Sequence, residues 1–148
     1  MRRTLKYMLS ILAAITGLTS CEIETSGNGK LDGYWKLCSV DTVTTGNSTD
    51  LTDRSVFWAI QANMLSAQDN GKSLSTKYMF RFKQTTDSLV LYSPQLYDKA
   101  EGNKEIIDTE LIKHVGINQL TSFFHIDKLS GKHMDLSDER LRLHFIKF

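Results

Sequence analysis

The feature that most constrains the fold is an alternation of apolar and polar side chains after residue 31. It is clearest near the end of the chain, in the order Arg140, Leu141, Arg142, Leu143, His144, Phe145. Successive side chains of a β-strand point to opposite faces, so a period of two predicts strands with one buried face. A helical period is not dominant and no βαβ rhythm occurs, which excludes helix bundles and parallel α/β folds.

Turn residues divide this alternation into short strands. The clearest hairpin pairs Tyr78–Lys83 with Ser88–Tyr92 across a turn at residues 84–87. Pro94 is expected to end the second of these strands, because proline lacks the N–H that a strand ladder needs. Further strands are predicted at Tyr34–Val40, Phe124–Leu129, His133–Leu136 and Arg140–Phe148.

The connecting segments are predicted to be loops and turns. Residues 41–53 are rich in Thr, Asp, Gly and Asn, and residues 95–113 are charged and irregular. Residues 69–76 contain Asn70-Gly71, a strong hairpin signal. A single helical turn is expected at Gly116–Asn118.

One run, Ser55–Gln68, is compatible with two structures. It fits a strand, and it also fits a helix that begins after Thr52 or Asp53 as the capping residue. We favour the strand, because aromatic and β-branched residues lead the run.

About eight short strands at hairpin spacing predict an all-β fold, a small antiparallel barrel or sandwich built as a meander. A meander that closes on itself leaves no exposed strand edge. The length of 148 residues fits one domain, and a hydrophobic content of 41% with a single proline is typical of a globular chain.

The first 20 residues have the layout of a secretory signal peptide. Arg2, Arg3 and Lys6 form a positive region, Met8–Ile15 is apolar apart from one serine, and small and polar residues follow. The apolar run is too short for a transmembrane helix, which needs about 20 residues. Residues 1–20 are therefore predicted to be removed.

The sequence Leu18-Thr19-Ser20-Cys21 resembles the lipobox of bacterial lipoproteins, an aliphatic residue and two small residues before a cysteine. The resemblance implies cleavage before Cys21 and attachment of lipid to its sulfur and its new amino group. Two or more acyl chains hold a protein stably at a membrane. Residues 21–30 then form a flexible polar tether and residues 31–148 the folded domain. The expected location is the cell envelope at the outer membrane, with the leaflet left open.

The charge distribution argues against nucleic acid as a partner. Three of the 18 basic residues and none of the 17 acidic residues lie in residues 1–20, so residues 21–148 carry 15 basic against 17 acidic residues. Nucleic-acid binding calls for a clustered basic face, which this near-balance does not indicate.

Gly33-Tyr34-Trp35 is a Gly-X-Trp motif near the start of the predicted domain. With the three closing strands and the lipobox, it makes the chain resemble a lipocalin-like family of Bacteroidetes lipoproteins of uncharacterised function. In lipocalins this tryptophan lies at the closed end of the barrel beneath an arginine of the last strand. The resemblance implies that Trp35 packs against Arg142 or Arg140, a structural contact of about 0.5–2 kcal/mol. The chain is shorter than typical lipocalins and lacks their disulfide, which points to a narrow or filled interior.

Motifs of the common catalytic classes are missing from the sequence. It contains no Gly-X-Ser-X-Gly elbow, no glycine-rich phosphate loop, no Cys-X-X-Cys and no His-Glu-X-X-His. Cys38 has no partner once Cys21 is acylated, and we expect it to be a small buried apolar residue. The protein is therefore expected not to be an enzyme and to need no cofactor.

Two side-chain groups are the remaining candidates for chemistry. His125 and Asp127, with His133 or His144 from neighbouring strands, match a metal site of two histidines and one carboxylate, although scattered surface histidines are the simpler interpretation. The other pattern is a possible acid/base site, although a solvated loop or face is the simpler interpretation. It consists of Glu101, Glu105, Asp108 and Glu110.

Two functions follow from the sequence. The first is a lipid-anchored binding module that holds a small apolar ligand in its barrel or contacts another envelope protein. The alternative is a structural or accessory lipoprotein with a filled barrel that acts through protein contacts alone. Most of the aromatic residues are expected to form the core, with a subset near the barrel mouth available to a ligand. These residues are Trp35, Phe57, Trp58, Phe80, Phe82, Phe123, Phe124 and Phe145.

Overall fold

The computed structural model describes residues 26–71 and 76–148. The predicted signal peptide and Cys21 lie outside these ranges. Within them, eight strands close into an antiparallel barrel, and two short accessory strands flank it. The strands are β1 (Gly33–Thr42), β2 (Ser48–Asp50), β3 (Val56–Gln61), β4 (Met64–Asp69), β5 (Thr76–Gln84), β6 (Ser88–Leu96), β7 (Lys104–Glu105), β8 (Ser122–Leu129), β9 (His133–Ser137) and β10 (Leu141–Lys147).

The barrel is a meander that closes between its first and last main strands. Around the circumference the order is β1, β3, β4, β5, β6, β8, β9 and β10, and β10 pairs with β1. This closing pair runs from Trp35 opposite Lys147 to Thr42 opposite Leu141. The accessory strands β2 and β7 pair with the later residues of β1 and β6. The predicted small antiparallel barrel of about eight strands is confirmed.

The two ends of the barrel differ in what covers them. The short turns after β3, β5 and β8 lie at one end, with the 3-10 turn Gly29–Leu31 that precedes β1. This is termed the closed end, because hydrogen bonds cross it, from Asn28 Nδ2 to Ala62 O at 2.6 Å and from Lys147 Nζ to Lys30 O at 3.1 Å. The opposite end, termed the open end, carries the longer loops, including residues 106–117, termed the plug segment.

Residues 26–30 of the predicted tether contact the barrel. Asn28 Nδ2 donates to Asp32 Oδ1 at 2.7 Å, and the Ser26 hydroxyl also donates to Asp32. These bonds connect Ser26 and Asn28 to the start of the barrel.

The run Ser55–Gln68 contains two strands. The strand interpretation is confirmed over the helix, but β3 and β4 form a hairpin whose two-residue turn is Ala62-Asn63. Ala62 has φ 54°, a left-handed conformation in which glycine or asparagine is usual. Because no glycine occupies the turn, the boundary between the two strands is not visible in the pattern of residues.

The loops at the open end hold more structure than predicted. The predicted loop at residues 41–53 includes β2, and the one at residues 95–113 includes β7. Pro94 lies within β6 and does not end it. It follows Ser93, whose φ is 52°, at an irregularity in the pairing with β5 where proline is tolerated.

The helical turn predicted at Gly116–Asn118 lies a few residues earlier. Two 3-10 turns occur in the plug segment, Thr109–Leu111 and Lys113–Val115. Gly116 ends the second in the left-handed conformation, with φ 88°. Glycine is the usual residue at this position after a helical turn, so Gly116 marks an end and not a beginning.

Aliphatic and aromatic side chains fill the interior. The Trp58 ring centroid lies 4.7 Å from that of Phe145 and 6.1 Å from that of Phe124. Side chains that border a water-sized cavity retain accessible surface, whereas Trp35, Trp58, Phe124 and Phe145 are at most 2% exposed. These core side chains are therefore closely packed, as protein interiors generally are.

Candidate functional site

At the closed end, the Gly-X-Trp motif forms the floor of the barrel. Trp35 is fully buried, and its Nε1 donates a hydrogen bond to Leu31 O at 2.8 Å. Leu31 is also fully buried, so this bond holds the turn Gly29–Leu31 against the barrel. The contacts of Trp35 are those of a structural residue.

A lysine lies over the Trp35 ring. Lys147 Nζ is 4.8 Å from the ring centroid, within the range of a cation–π contact. Trp35 and Lys147 are register partners in the β1–β10 pair. Lys147 lies on the same face of β10 as the buried Leu143 and Phe145, because the three residues are spaced by two along the strand. Its side chain therefore reaches the floor.

The predicted contact of Trp35 with Arg142 or Arg140 is corrected by this geometry. Arg142 is the register partner of Asp41, far along β10 from Lys147. Its side chain is exposed, and its Nε lies 3.6 Å from Asp127 Oδ2. Arg140 precedes β10 at the open end. Both arginines alternate with the buried residues of β10, so neither side chain enters the barrel.

Gly33 is the position at which the motif requires glycine. Its φ is +135°, and a Cβ there would lie 2.5 Å from Lys147 Cε. We expect Gly33→Ala to lower the free energy of unfolding by about 1–3 kcal/mol, because it adds backbone strain and displaces the lysine. Urea denaturation measures the change. Gly131→Ala is the control, since its Cβ would meet open space, and equal losses in the two variants would contradict this role.

At the open end, the plug segment enters the barrel. Trp58 Nε1 donates to Val115 O at 2.9 Å, and Trp58 is the register partner of Trp35 at the floor. A Cβ on Gly116 would contact Leu143 and Leu37 at 3.3 and 3.4 Å. The segment therefore reaches the side chains of three strands inside the barrel and occupies its mouth.

The composition of this segment does not predict its burial. Residues 95–113 are charged and irregular in sequence, and most of their charged side chains are exposed. The available signal was a set of apolar residues in the plug segment, each at most 2% exposed: Ile106, Ile112, Val115 and Ile117.

The carboxylates of this segment do not form an acid/base pair. Glu101 accepts a hydrogen bond from Lys104 at 2.5 Å, and Glu110 pairs with Lys113. Asp108 Oδ1 accepts from the Glu110 N–H at 2.9 Å, which caps a 3-10 turn. These groups and Glu105 are exposed, as expected for a solvated face.

A buried polar group lies at the mouth of the barrel. Asp69 is 2% exposed and pairs with the Arg54 guanidinium. The Tyr78 ring meets the His114 ring edge-on, with centroids 5.5 Å apart. Burial raises the pKa of Tyr78, a hydrogen bond with Thr76 opposes the rise, and the nearby Asp69 charge adds to it. At neutral pH Tyr78 is therefore an uncharged phenol.

The candidate metal site is not assembled. His125 Nδ1 lies 2.9 Å from Asp127 Oδ1, but His144 contacts two other aspartates. His133 is exposed on β9. Within residues 26–71 and 76–148, no three His, Cys, Asp or Glu side chains are grouped to hold a metal ion.

His144 connects three strands at the seam where the barrel closes. Its Nε2 lies 2.9 Å from Asp41 Oδ2 on β1, and its Nδ1 lies 3.0 Å from Asp135 Oδ1 on β9. Partial burial favours the neutral ring, but the hydrogen bonds and charges of both aspartates outweigh it and raise the pKa of His144 above 6.5. Hydrogen bonds with Ser48 and His144 lower the pKa of Asp41.

We expect the barrel to lose stability as the pH rises above neutral. A histidine whose pKa rises on folding stabilises the folded state fully below its unfolded pKa of 6.5, and this contribution disappears as the pH passes the higher folded value. The difference in urea midpoint between the wild type and His144→Gln should therefore shrink between about pH 6 and pH 9. A difference that grows with pH would contradict the imidazolium bridge.

The prediction for Cys38 is corrected in part. Cys38 is half-buried, not buried, and lies where the register of β1 against β10 shifts. Six of the eight aromatic residues are buried in the core, as predicted for most of them, and Phe57 and Phe123 lie outside it. Phe57 stacks on Tyr34 at a centroid distance of 4.7 Å, and Phe123 is 66% exposed.

Comparison with known proteins agrees with this geometry. A family model described as a lipocalin-like domain matches residues 16–148. The chain belongs to this lipocalin-like family. The predicted resemblance is thereby confirmed. Among curated proteins, none matches the chain.

Two solved structures share the fold of this lipocalin-like chain. A lipocalin-like protein from Bacteroides uniformis aligns with a TM-score of 0.63 and 21% identity, over 81% of this chain and 100% of that one. An uncharacterised protein from Bacteroides eggerthii aligns with a TM-score of 0.59 and 19% identity, over 79% and 98% of the two chains. At these identities the likeness shows the fold alone. In the described part of the chain, no helix is long and apolar enough to span a membrane.

Proposed function

We propose that this lipocalin-like protein is a lipid-anchored binding module of the bacterial cell envelope, and that it contacts another envelope protein at the open end of its barrel. The signal peptide and the lipobox ending at Cys21 support the anchor. The geometry of the barrel supports the binding mode. We expect binding and no catalysis.

The filled interior is the observation that carries the binding mode. The plug segment occupies the mouth, and Trp58, Val115 and Leu143 retain no accessible surface. A small-molecule site is typically a cavity of about 300–1,000 Å³. The packing of these residues therefore favours a partner at the surface over a ligand inside.

Exposed apolar side chains are concentrated at the open end. Single exposed apolar residues are ordinary, but a group at one end of a domain marks a contact surface. Residues 95–117 carry five acidic residues against three lysines, so a partner with an apolar patch and basic neighbours fits best. The exposed apolar residues on the open-end loops and adjoining strand ends are Val43, Tyr97, Ile107, Leu111 and Phe123.

The tether leaves the barrel at the opposite end. Ser26 and the turn Gly29–Leu31 lie at the closed end, where Asn28 bonds to the β3–β4 turn. An anchor at Cys21 would hold this end at the membrane. The open end would then point away from the lipid, toward other envelope proteins.

A small apolar ligand inside the barrel is the second candidate, and the construction of the plug segment favours it. The N–H groups of Ile112, Val115 and Gly116 donate to carbonyls of the same segment. Trp58 supplies a hydrogen bond from the barrel wall. A segment folded on itself can leave the mouth as a unit, which would uncover an aromatic lining.

The anchor is tested by fractionating Bacteroides cells that express the full chain. The wild type should be found in the membrane fraction and incorporate labelled palmitate. Cys21→Ser should accumulate as an uncleaved or soluble precursor without label. Cys38→Ser is the matched control and should behave as the wild type. Membrane attachment of Cys21→Ser at the wild-type level would rule out the anchor.

The binding surface is tested by photo-crosslinking in the same cells. A photoreactive phenylalanine analogue replaces Ile107 or Phe123 at the open end, or Tyr92 on the outer wall as control. We expect a discrete protein adduct from both open-end positions and none from Tyr92. The same adduct pattern at all three positions, or none at the open end, would contradict the proposed surface.

A further inference from the structure

We propose that the closed end of the barrel lies against an anionic lipid surface, with Phe148 in the interfacial layer and the surrounding lysines facing phosphate headgroups. The proposal deepens the proposed function and relies on the anchor at Cys21 to bring this end to the membrane. It adds a second contact, made by the folded domain itself.

The first observation is an exposed apolar rim at this end. Phe148 is 82% exposed and Ile146 is 41% exposed. The Phe148 ring meets those of Tyr34 and Phe57 edge-on, at centroid distances of 6.1 and 5.6 Å, and its N–H donates to Tyr34 O at 2.8 Å. The barrel wall thus holds the Phe148 ring in place, while the outer edge of the ring remains exposed to solvent. Aromatic side chains favour the headgroup region of a bilayer.

The second observation is a group of lysines around the rim. Lys147 Nζ donates to Lys30 O at 3.1 Å, and the Lys147 N–H donates to Lys132 O at 2.8 Å, so these three residues adjoin. Lys30 and Lys132 are exposed. Lys128 is also exposed, near the closed-end terminus of β8. Lysines clustered beside an apolar anchor attract anionic lipids.

Two described side-chain carboxylates near the closed end are engaged by neighbours. Asp32 accepts hydrogen bonds from Ser26 and Asn28, and Asp87 accepts one from Ser88 at 2.8 Å. Glu22 and Glu24, in the tether, lie outside the described residues. Most other carboxylates lie at or beside the open end: Asp50, Asp53, Asp69, Asp98, Glu101, Glu105, Asp108, Glu110, Asp138 and Glu139. Among the described side chains, lysines therefore outnumber carboxylates at the closed end, which favours a negative surface.

The length of the tether brings this end within range of the lipid. Cys21 precedes Ser26 by five residues, which span at most about 18 Å when fully extended. Surface charge acts on a cation within roughly a Debye length, about 8 Å at physiological ionic strength. An acyl chain on Cys21 keeps the lysines close enough to sample that layer.

The contact is tested with a fluorescent reporter on vesicles. Trp35 and Trp58 are fully buried, so Phe148→Trp adds an indole that is exposed where they are not. The mature chain with Cys38→Ser carries one thiol, Cys21, which is coupled to a maleimide lipid in phosphatidylglycerol vesicles that contain brominated phosphatidylcholine. The reporter should shift to shorter wavelength and be quenched by the bromine atoms, because an indole at the headgroup level lies in the lipid interface.

Phe123→Trp is the matched control, because Phe123 is also exposed but lies toward the open end. Its emission should stay unchanged on coupling. Lys30→Glu with Lys132→Glu should return the Phe148→Trp signal to its level on neutral vesicles, whereas Lys99→Glu at the open end should not. Equal signals from the two reporters would overturn the proposal. Because the lipid is attached chemically, this result is independent of whether cells acylate Cys21.

Discussion

Replacing Trp58 with alanine is expected to lower the free energy of unfolding by about 3–5 kcal/mol. The side chain is fully buried between the rings of Phe124 and Phe145, so the variant loses apolar contact and leaves a cavity. It also removes the hydrogen bond to Val115 O. Trp58→Phe keeps most of the apolar volume and loses that bond, and we expect it to cost about 1–3 kcal/mol. Urea denaturation of both variants separates the two contributions.

The Trp58 variants also report on the plug segment. If the bond to Val115 holds the segment in the mouth, amide hydrogens at residues 112–117 should exchange much faster in Trp58→Phe, while those of β9 and β10 stay protected. A uniform increase across the barrel would mean that Trp58 stabilises only the core. Unchanged exchange at residues 112–117 would mean that other contacts hold the plug segment.

Replacing Trp35 with alanine should cost a similar amount, about 3–5 kcal/mol, for reasons specific to the closed end. Trp35 is fully buried, bonds to Leu31 O at 2.8 Å and lies beneath Lys147. Its loss would free the turn Gly29–Leu31 as well as open the floor. Urea midpoints give the size of the effect, and a loss under about 1 kcal/mol would show that Trp35 is not a core residue.

Two substitutions separate the contributions of the cation–π contact and of the hydrogen bond to the stability that Trp35 provides. Lys147→Met keeps the apolar stem and removes the cation, and we expect it to cost about 0.5–1 kcal/mol if the cation–π contact contributes. Trp35→Phe removes the bond to Leu31 and should cost about 1 kcal/mol or somewhat more. Because Trp35 and Trp58 face each other across β1 and β3, the double alanine variant should lose less than the sum of the single losses.

The strands were predictable where the alternation of side chains decides the structure locally. The closing strand places Leu143 and Phe145 inside as the pattern predicted, and the hairpin of β5 and β6 lies where the turn residues indicated. The boundary between β3 and β4 was not predictable, because Ala62 adopts a conformation that sequence patterns assign to glycine. Contacts with neighbouring strands hold that turn in place, and local sequence patterns do not reveal such contacts.

The details of the two ends depend on register and on tertiary burial. The strand pairing places Lys147 opposite Trp35, and the shift at Cys38 means that counting residues along the strands does not give this pairing. The plug segment was hidden for a related reason. Its charged residues dominate its composition, whereas its role depends on a few apolar side chains that become buried only when the barrel exists around them.

The most direct test of a filled barrel that works through its surface is native mass spectrometry of residues 22–148 after exposure to a total extract of envelope lipids and small molecules. We expect the wild type to retain the mass of the bare polypeptide across the whole extract. A discrete small-molecule adduct at one copy per chain, lost when an aromatic residue of the interior is changed, would contradict it. The barrel would then be a ligand-binding site, with the plug segment as its cover.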